Sequence, residues 1–414
     1  MSLKIAVVGS GISGLVSAYL LSQKYEVHLF EANDTLGGHT HTVKVNHSSQ
    51  NVNIDCGFIV FNKKTYPHFT ALLEKEHVAY EKSEMSFSYF DPKTAFYYNG
   101  HSLNSLFSDK KNFFKSAFYR MLFDIVLFNR NAKSLLKNSQ LDSLTLQDYL
   151  QHKNYSPLFI NTYLIPMISA IWSAPKAKVP DMPLAFLLRF YENHGLLDLY
   201  DRPDWYVIKN GSNQYIPKLI ERFKENIHLS SKVDKIVRKN NQIAIVVNQQ
   251  THQFDKVIIA AHSDDALKML EQPTDQEIAI LGDILYEANH ITLHTDIRVL
   301  PPRQKAWASW NYYENQSGVC TLNYYANRLQ NMDSNQHYIV SVNLEDEIAE
   351  DSIIKQMTFS HPVITQAALK AQKKVGLING QNNTYFCGAY WGYGFHEDGV
   401  QSALAACADF KVTI

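Results

Sequence analysis

The stretch Lys4–Glu31, KIAVVGSGISGLVSAYLLSQKYEVHLFE, decides the fold. Lys4–Val8 reads as a short apolar strand, and Gly9-Ser-Gly11-Ile-Ser13-Gly14 follows it directly. Leu15–Gln23 then carries a helical pattern, and Tyr25–Phe30 alternates as a second strand ending on Glu31. Strand, glycine turn, helix, strand and acid in that order open a dinucleotide-binding β-α-β unit. Gly9 permits the tight turn, Gly11 lets the backbone approach a pyrophosphate, and Gly14 lets helix and strand pack closely. The helix N-terminus, which includes Ser13, offers unpaired N–H groups and a positive dipole end to the phosphates. Glu31 lies seventeen residues after Gly14. An acid there bonds ribose hydroxyls and disfavours a 2′-phosphate.

The composition narrows the remaining classes. The 414 residues carry 39 basic and 40 acidic side chains, a net charge of −1. That balance argues against nucleic acid as the main partner, because phosphate backbones require a basic excess. The length predicts two or three domains, and 45% hydrophobic content is enough for full cores. The 24 Tyr, 22 Phe and 5 Trp suit a large apolar pocket, and thick ordinary cores equally. Cys56, Cys320, Cys387 and Cys407 form no Cys-x-x-Cys pair, which argues against a zinc cluster or disulfide framework. A reducing cytosol is the simplest compartment. No apolar run reaches the ~18–20 residues that span a bilayer, and the start reads as mature structure rather than a signal peptide.

Beyond Glu31 the chain alternates like strands over Thr40–Phe61, with a hairpin turn at 47–51, and looks helical over 66–80. Residues 101–200 read as mostly helical, punctuated by Pro166, Pro175, Pro180 and Pro183. Strands are expected near 205–209, 226–238, 243–248 and 254–260, then at 289–296, 306–312, 318–325 and 337–343. A strand at Tyr385–Gly388, a glycine-rich turn and a helix from about Gly399 complete the pattern.

Ala32-Asn-Asp-Thr-Leu-Gly37-Gly38-His39 follows the ribose acid, and a glycine pair at this distance is not general among NAD enzymes. It resembles the extended FAD signature of the amine oxidase and phytoene desaturase superfamily. Val233 in Ser-Lys-Val233-Asp, the run Phe254-Asp-Lys-Val-Ile-Ile-Ala-Ala, and Cys387-Gly388-Ala-Tyr390 … His396-Glu-Asp-Gly399-Val400 agree with that signature. Further segments, among them Asp55-Cys-Gly57-Phe58, Ile171-Trp172-Ser173, Asn193-His194-Gly195 and Gly392-Tyr393-Gly394-Phe395, resemble one branch of it. That branch holds predicted NAD/FAD-binding proteins related to the N-terminal domain of plant cyclopropane fatty acid synthases. Asn210-Gly211-Ser212 departs from the pattern, because relatives tend to carry two glycines there.

The resemblance implies an α/β protein: a glutathione-reductase-like FAD-binding Rossmann domain with an inserted, amine-oxidase-like α+β substrate domain. Residues 1–80, 205–270 and 381–414 would form the FAD domain, with 81–204 (mainly helical) and 271–380 (sheet) forming the substrate domain. Noncovalent FAD would be held by Gly9, Gly11, Ser13, Gly14, Glu31, Gly37, Gly38, His39 and Val233. Gly57, Phe58, Gly388, Gly399 and Val400 would surround the flavin. His396 falls where amine oxidases place a cage aromatic, and His290 near their lysine, so both are candidate catalytic groups that weaken an amine-oxidation reading. Trp172, Trp310, Tyr312 and Tyr393 are candidate pocket walls, and no metal site is expected.

The implied function is dehydrogenation of a fatty acid or phospholipid acyl chain by hydride transfer to the flavin. The alternatives are an amine oxidase, a non-redox isomerase, or an FAD-holding accessory protein to a cyclopropane-synthase-like lipid methyltransferase. Lys110–Lys137 carries seven Lys and Arg against Asp124 alone, interleaved with Phe113, Phe114, Phe118, Leu122, Phe123, Val126 and Leu127. Such a helix either packs on the substrate domain or touches an anionic membrane surface. The protein is therefore expected in the cytoplasm, with contact at the inner membrane surface as the second possibility.

Overall fold

The computed structural model of the protein describes residues 3–47, 50–137, 139–198, 202–315 and 318–414. Lys4–Val8 is the middle strand of a five-stranded parallel sheet. Glu26–Phe30 and Ile227–His228 lie on one side of it, Lys256–Ile259 and Thr384–Phe386 on the other. Both faces of this sheet are covered, so its strands read as continuous Val and Ile runs rather than alternating ones.

Helix Ile12–Leu21 packs under the sheet with all ten residues buried. A helix enclosed on every side carries no polar stripe, which explains its nearly unbroken apolar sequence. It is gripped by the last helix, His396–Cys407. Glycines set both approaches: a Cβ on Gly14 would lie 1.9 Å from the Gly9 carbonyl oxygen, and one on Gly399 would lie 2.6 Å from Ile12 Cγ2. Three antiparallel strands, Val233–Lys239, Gln242–Val247 and Gln250–Phe254, cover the opposite face through Ile236, Ile243 and Ile245.

The second body is built on a seven-stranded sheet in the order 353–362, 286–294, 339–342, 322–325, 310–313, 87–91 and 96–99. Helices Ser116–Leu135, Ile165–Trp172 and Leu184–Asn193 bury Phe118, Phe128, Trp172 and Phe186 in one core with Tyr89, Tyr98 and Tyr312. A small sheet of Val60–Asn62, Trp205–Ile208 and Tyr80–Ser83 joins the two bodies. Among the described residues no helix is long and apolar enough to cross a membrane.

Several elements differ from the sequence expectation. The last helix begins at His396, three residues early, because Asp398 reaches back to accept the Phe395 N–H at 2.9 Å and caps it. Tyr80–Ser83, Phe87–Asp91, Phe96–Asn99 and Ile353–Pro362 are strands that the sequence reading did not register. The first three lie in a region read as mainly helical, and the last is too polar along its exposed side to show a clean period. The hairpin strands Thr42–His47 and Gln50–Asp55 pair as the alternation suggests, while the expected turn at Ser48–Ser49 lies outside the described residues. With a backbone oxygen where its new methyl must go, Gly14→Ala should cost about 3 kcal/mol, at the upper end of overpacking penalties. A denaturant titration checks this, and an unchanged midpoint would show that the turn can open freely.

Candidate active site

The carboxyl ends of the five parallel strands open into one cavity of about 1270 Å³. Gly9, Glu31, Ser231, Ala260 and Gly388, each at or just beyond a strand end, line it. In open α/β sheets this edge is where ligands bind, because loops there are free to diverge. The cavity runs on past Phe58 and His396 into the second body, where Tyr98, Tyr163, Met167, Trp172, Tyr191 and Trp310 form its walls.

At the nucleotide end the geometry is set by hydrogen bonds. Glu31 is buried, and its Oε2 accepts from the Ser10 N–H at 2.9 Å and the Ser10 hydroxyl at 2.5 Å. Its Oε1 accepts from the N–H and the amide of Asn33, at 2.9 and 3.0 Å. The carboxylate is thus held in place before any ligand arrives. Gly9, Gly37 and Gly38 have φ of +97°, +120° and +56°, conformations open to glycine. A Cβ on Gly11 would meet nothing within 4 Å, and no side chain caps the helix that starts after it. Open space above an uncapped helix N-terminus, with a fixed carboxylate beside it, fits the diphosphate and ribose of a dinucleotide.

Ser13, His39, Gly57, Phe58 and Val233 also line the cavity, as do Trp172, Trp310 and Tyr393. Gly57 must be small, since a Cβ there would lie 2.0 Å from the His39 carbonyl oxygen. Gly14 stands behind the turn rather than on the cavity wall.

Four expectations are corrected. Gly399 and Val400 do not line the cavity; Gly399 lets the last helix close on Ile12 and Ser13, and Val400 is fully buried in the core beneath. Tyr312 lies on the same strand as Trp310 but under helix Ile165–Trp172, stacked at 6.0 Å on Tyr89, and reaches no cavity. His290 is exposed on strand Tyr286–His294, where alternation turns its neighbour Asn289 inward to bond His361. It does not belong to the site.

His396 does line the cavity, but as a fixed ring. Its Nε2 is 2.9 Å from the Thr40 hydroxyl, and the ring stacks on Phe58 at 3.5 Å. Burial lowers its pKa to about 3, so the ring is neutral across the physiological range. Its neighbours in sequence are structural too: Glu397 accepts the N–H groups of His68 and Phe69 and so caps helix Pro67–Lys75.

The sequence reading missed a cluster of histidines. His39, His262 and His361 line the cavity together, with His262 stacked on Tyr286 at 4.3 Å. Burial holds His39 well below its ordinary value, reinforced by repulsion from His361, His262 and His396. Burial likewise lowers His361 to about 4, and His194, on the aromatic wall, to about 4. Only proximity between residues 99 or more apart in sequence reveals the cluster. Asp55 was legible only as part of a motif; it accepts the Ser212 N–H at 2.8 Å and the Ser212 and Thr42 hydroxyls, fixing the 210–212 loop. Ser212, the departure from the usual glycine pair, thereby gains a hydrogen-bonding role.

The fold and the shape of the site fit a dinucleotide-binding protein. Residues 12–299 match the flavin containing amine oxidoreductase family, and the chain belongs to it. It is therefore a flavin enzyme by family. It is 30% identical over 227 residues to a 1-hydroxycarotenoid 3,4-desaturase of Flavobacterium sp. (strain P99-3), a match covering 51% of this chain and 40% of that protein. Among solved structures, cyclohexylamine oxidase from Brevibacterium oxydans IH-35A superposes with a TM-score of 0.71 at 13% identity, covering 99% of this chain and 100% of that one. A CLA-producing fatty acid isomerase from P. acnes gives 0.66 at 13% identity, covering 99% of each. At these identities the structures share the fold.

Gly11→Ala should leave the folded protein within about 0.5 kcal/mol of its original stability while lowering its flavin content, because the new methyl enters the cavity. Glu31→Gln, which keeps the size of the side chain, should also lower flavin occupancy, read from the visible absorbance of purified protein. Full occupancy in both variants would remove the turn and the acid from cofactor binding. Acid should destabilise the fold. The buried histidines stay neutral down to about pH 4 in the native state and protonate near 6.5 when unfolded, so the unfolded chain binds more protons between these values. Their stabilisation is complete above pH 6.5 and is lost as pH falls towards 4. Asp55 and Asp398, raised by burial to about 6, work in the opposite sense but are fewer. The thermal midpoint should therefore drop between pH 7 and 5; a flat midpoint would contradict the burial of these rings.

Proposed function

We propose that the protein holds FAD noncovalently and dehydrogenates a long apolar chain, an acyl chain of a fatty acid or phospholipid. The observation that carries this reading is the aromatic and aliphatic wall that extends the cavity beyond its nucleotide end. Similarity to a protein named for desaturating a hydroxycarotenoid supports it. None of the four cysteines lines the cavity, which favours a cofactor held without a thioether.

Bound FAD would supply the hydride acceptor. The protein's part is to bind, orient and exclude water. Trp172 is fixed by donating its indole N–H to the Tyr393 carbonyl at 3.1 Å and by packing on Phe190 at 4.7 Å. Phe190 in turn stacks on His194 at 3.8 Å. The His194 Nδ1–H donates to the Phe190 carbonyl at 3.0 Å, so the neutral ring keeps its Nε2 lone pair. Once hydride leaves a chain carbon, the adjacent C–H is acidic enough for such a weak base to take its proton.

The test is anaerobic. The yellow protein is mixed with lipids of defined acyl chains and, separately, with a panel of amines. Bleaching of the oxidised flavin band by one lipid class, slowed in His194→Phe, is the expected result. Bleaching by amines alone would overturn the reading in favour of an amine oxidase. Silence from both would overturn it in favour of an accessory role beside a lipid methyltransferase.

A further inference from the structure

The segment 103–130 presents two apolar faces. Helix Ser116–Leu135 turns Phe118, Met121, Phe128 and Ala132 into the core. Tyr119, Phe123 and Val126, spaced four and three apart along the opposite side, are left exposed. Just before them stand Phe113 and Phe114, and Leu103 lies beside the same turn through Phe107, which stacks on Phe113 at 4.0 Å. Phe114 is 90% exposed, Leu103 77% and Phe123 58%. Among the described residues, every large exposed aromatic that is mainly hydrophobic falls in 113–123. An apolar patch of this kind on a soluble surface marks a contact site.

Charge selects the partner. Lys110, Lys111, Lys115, Arg120 and Arg130 are exposed around these side chains. The acids of the segment are withdrawn. Asp109 caps the turn by accepting the Lys111 N–H at 3.0 Å, and the fully buried Asp124 accepts from Arg120 at 3.0 Å and from the Ser156 N–H at 2.8 Å. The turn Gln304–Ala306, packed against helix Leu103–Leu106, brings exposed Arg303 and Lys305 to the same edge. Aromatic side chains projecting from a basic surface are the chemistry that enters the headgroup region of an anionic bilayer. The cavity reaches the surface nearby: Gly100 and His101 line it, are exposed, and lie within three residues of Leu103.

We infer that this face docks the protein on an anionic phospholipid bilayer, Phe114 and Phe123 inserting among the headgroups and the lysines pairing with lipid phosphates. Docking would set the cavity mouth at Gly100–His101 against the lipid. That last point rests on the lipid-dehydrogenase reading, while docking does not, and vesicle binding is measured without turnover so that the two fail separately. Flavin-loaded full-length protein is sedimented with phosphatidylcholine vesicles, with and without phosphatidylglycerol. Binding should require the anionic lipid, reverse at high salt, and fall by about tenfold or more in Phe114→Asp/Phe123→Asp and in Lys110→Glu/Lys111→Glu. Both pairs are exposed, so the thermal midpoint should not move. Absent binding, equal binding to neutral vesicles, or unchanged binding by the folded variants would overturn the inference. So would a dimer by light scattering that Phe114→Asp dissolves, since the face would then belong to a second copy.

Discussion

Everything in this protein depends on how closely three pieces of backbone approach around helix Ile12–Leu21. A side chain at Gly14 would collide with the Gly9 carbonyl, and one at Gly399 with Ile12 and Ser13. Because nothing larger than hydrogen stands at either point, the helix sits flush against both its strand turn and the last helix. Its N-terminus is thereby aimed into the cavity. The site is a by-product of that packing: the parallel strands end together, and what lies beyond their ends has to diverge around a hollow.

Around this rigid centre the loops are held by carboxylates that face inward. Glu31 ties Ser10 to Asn33, Asp55 holds the 210–212 loop, Glu397 holds the start of helix Pro67–Lys75, and Asp398 closes its own helix. Each satisfies backbone N–H groups that would otherwise be buried without partners, at a cost of about 1–3 kcal/mol each. Such acids look catalytic in a sequence because they sit among site residues. Their geometry shows that they position the site.

The nucleotide end was legible because its determinants are local. A strand, three glycines and an acid within 28 residues admit one reading. The second body was not, since its site is assembled from distant strands and helices whose facing depends on register. His290 lies one residue from an inward position, and one residue is enough to reverse a strand side chain. Tyr312 shares a strand face with Trp310 and differs only in being roofed by a helix. The histidines at 39, 262 and 361 meet only through the fold, and the motif glycine at 399 packs against Ile12 and Ser13.

The five-stranded sheet draws its last strand from Thr384–Phe386, and its key helix is clamped by residues beyond 395. A ribosome delivers these pieces more than 350 residues after the opening β-α-β unit. The opening β-α-β unit is therefore made early but must wait, with its largely apolar helix uncovered on one side, until residues 384–407 have emerged. The hollow at the strand ends is consequently complete only once residues 384–407 have packed against the opening unit. During synthesis the exposed first helix is the part that chaperones have most reason to shield.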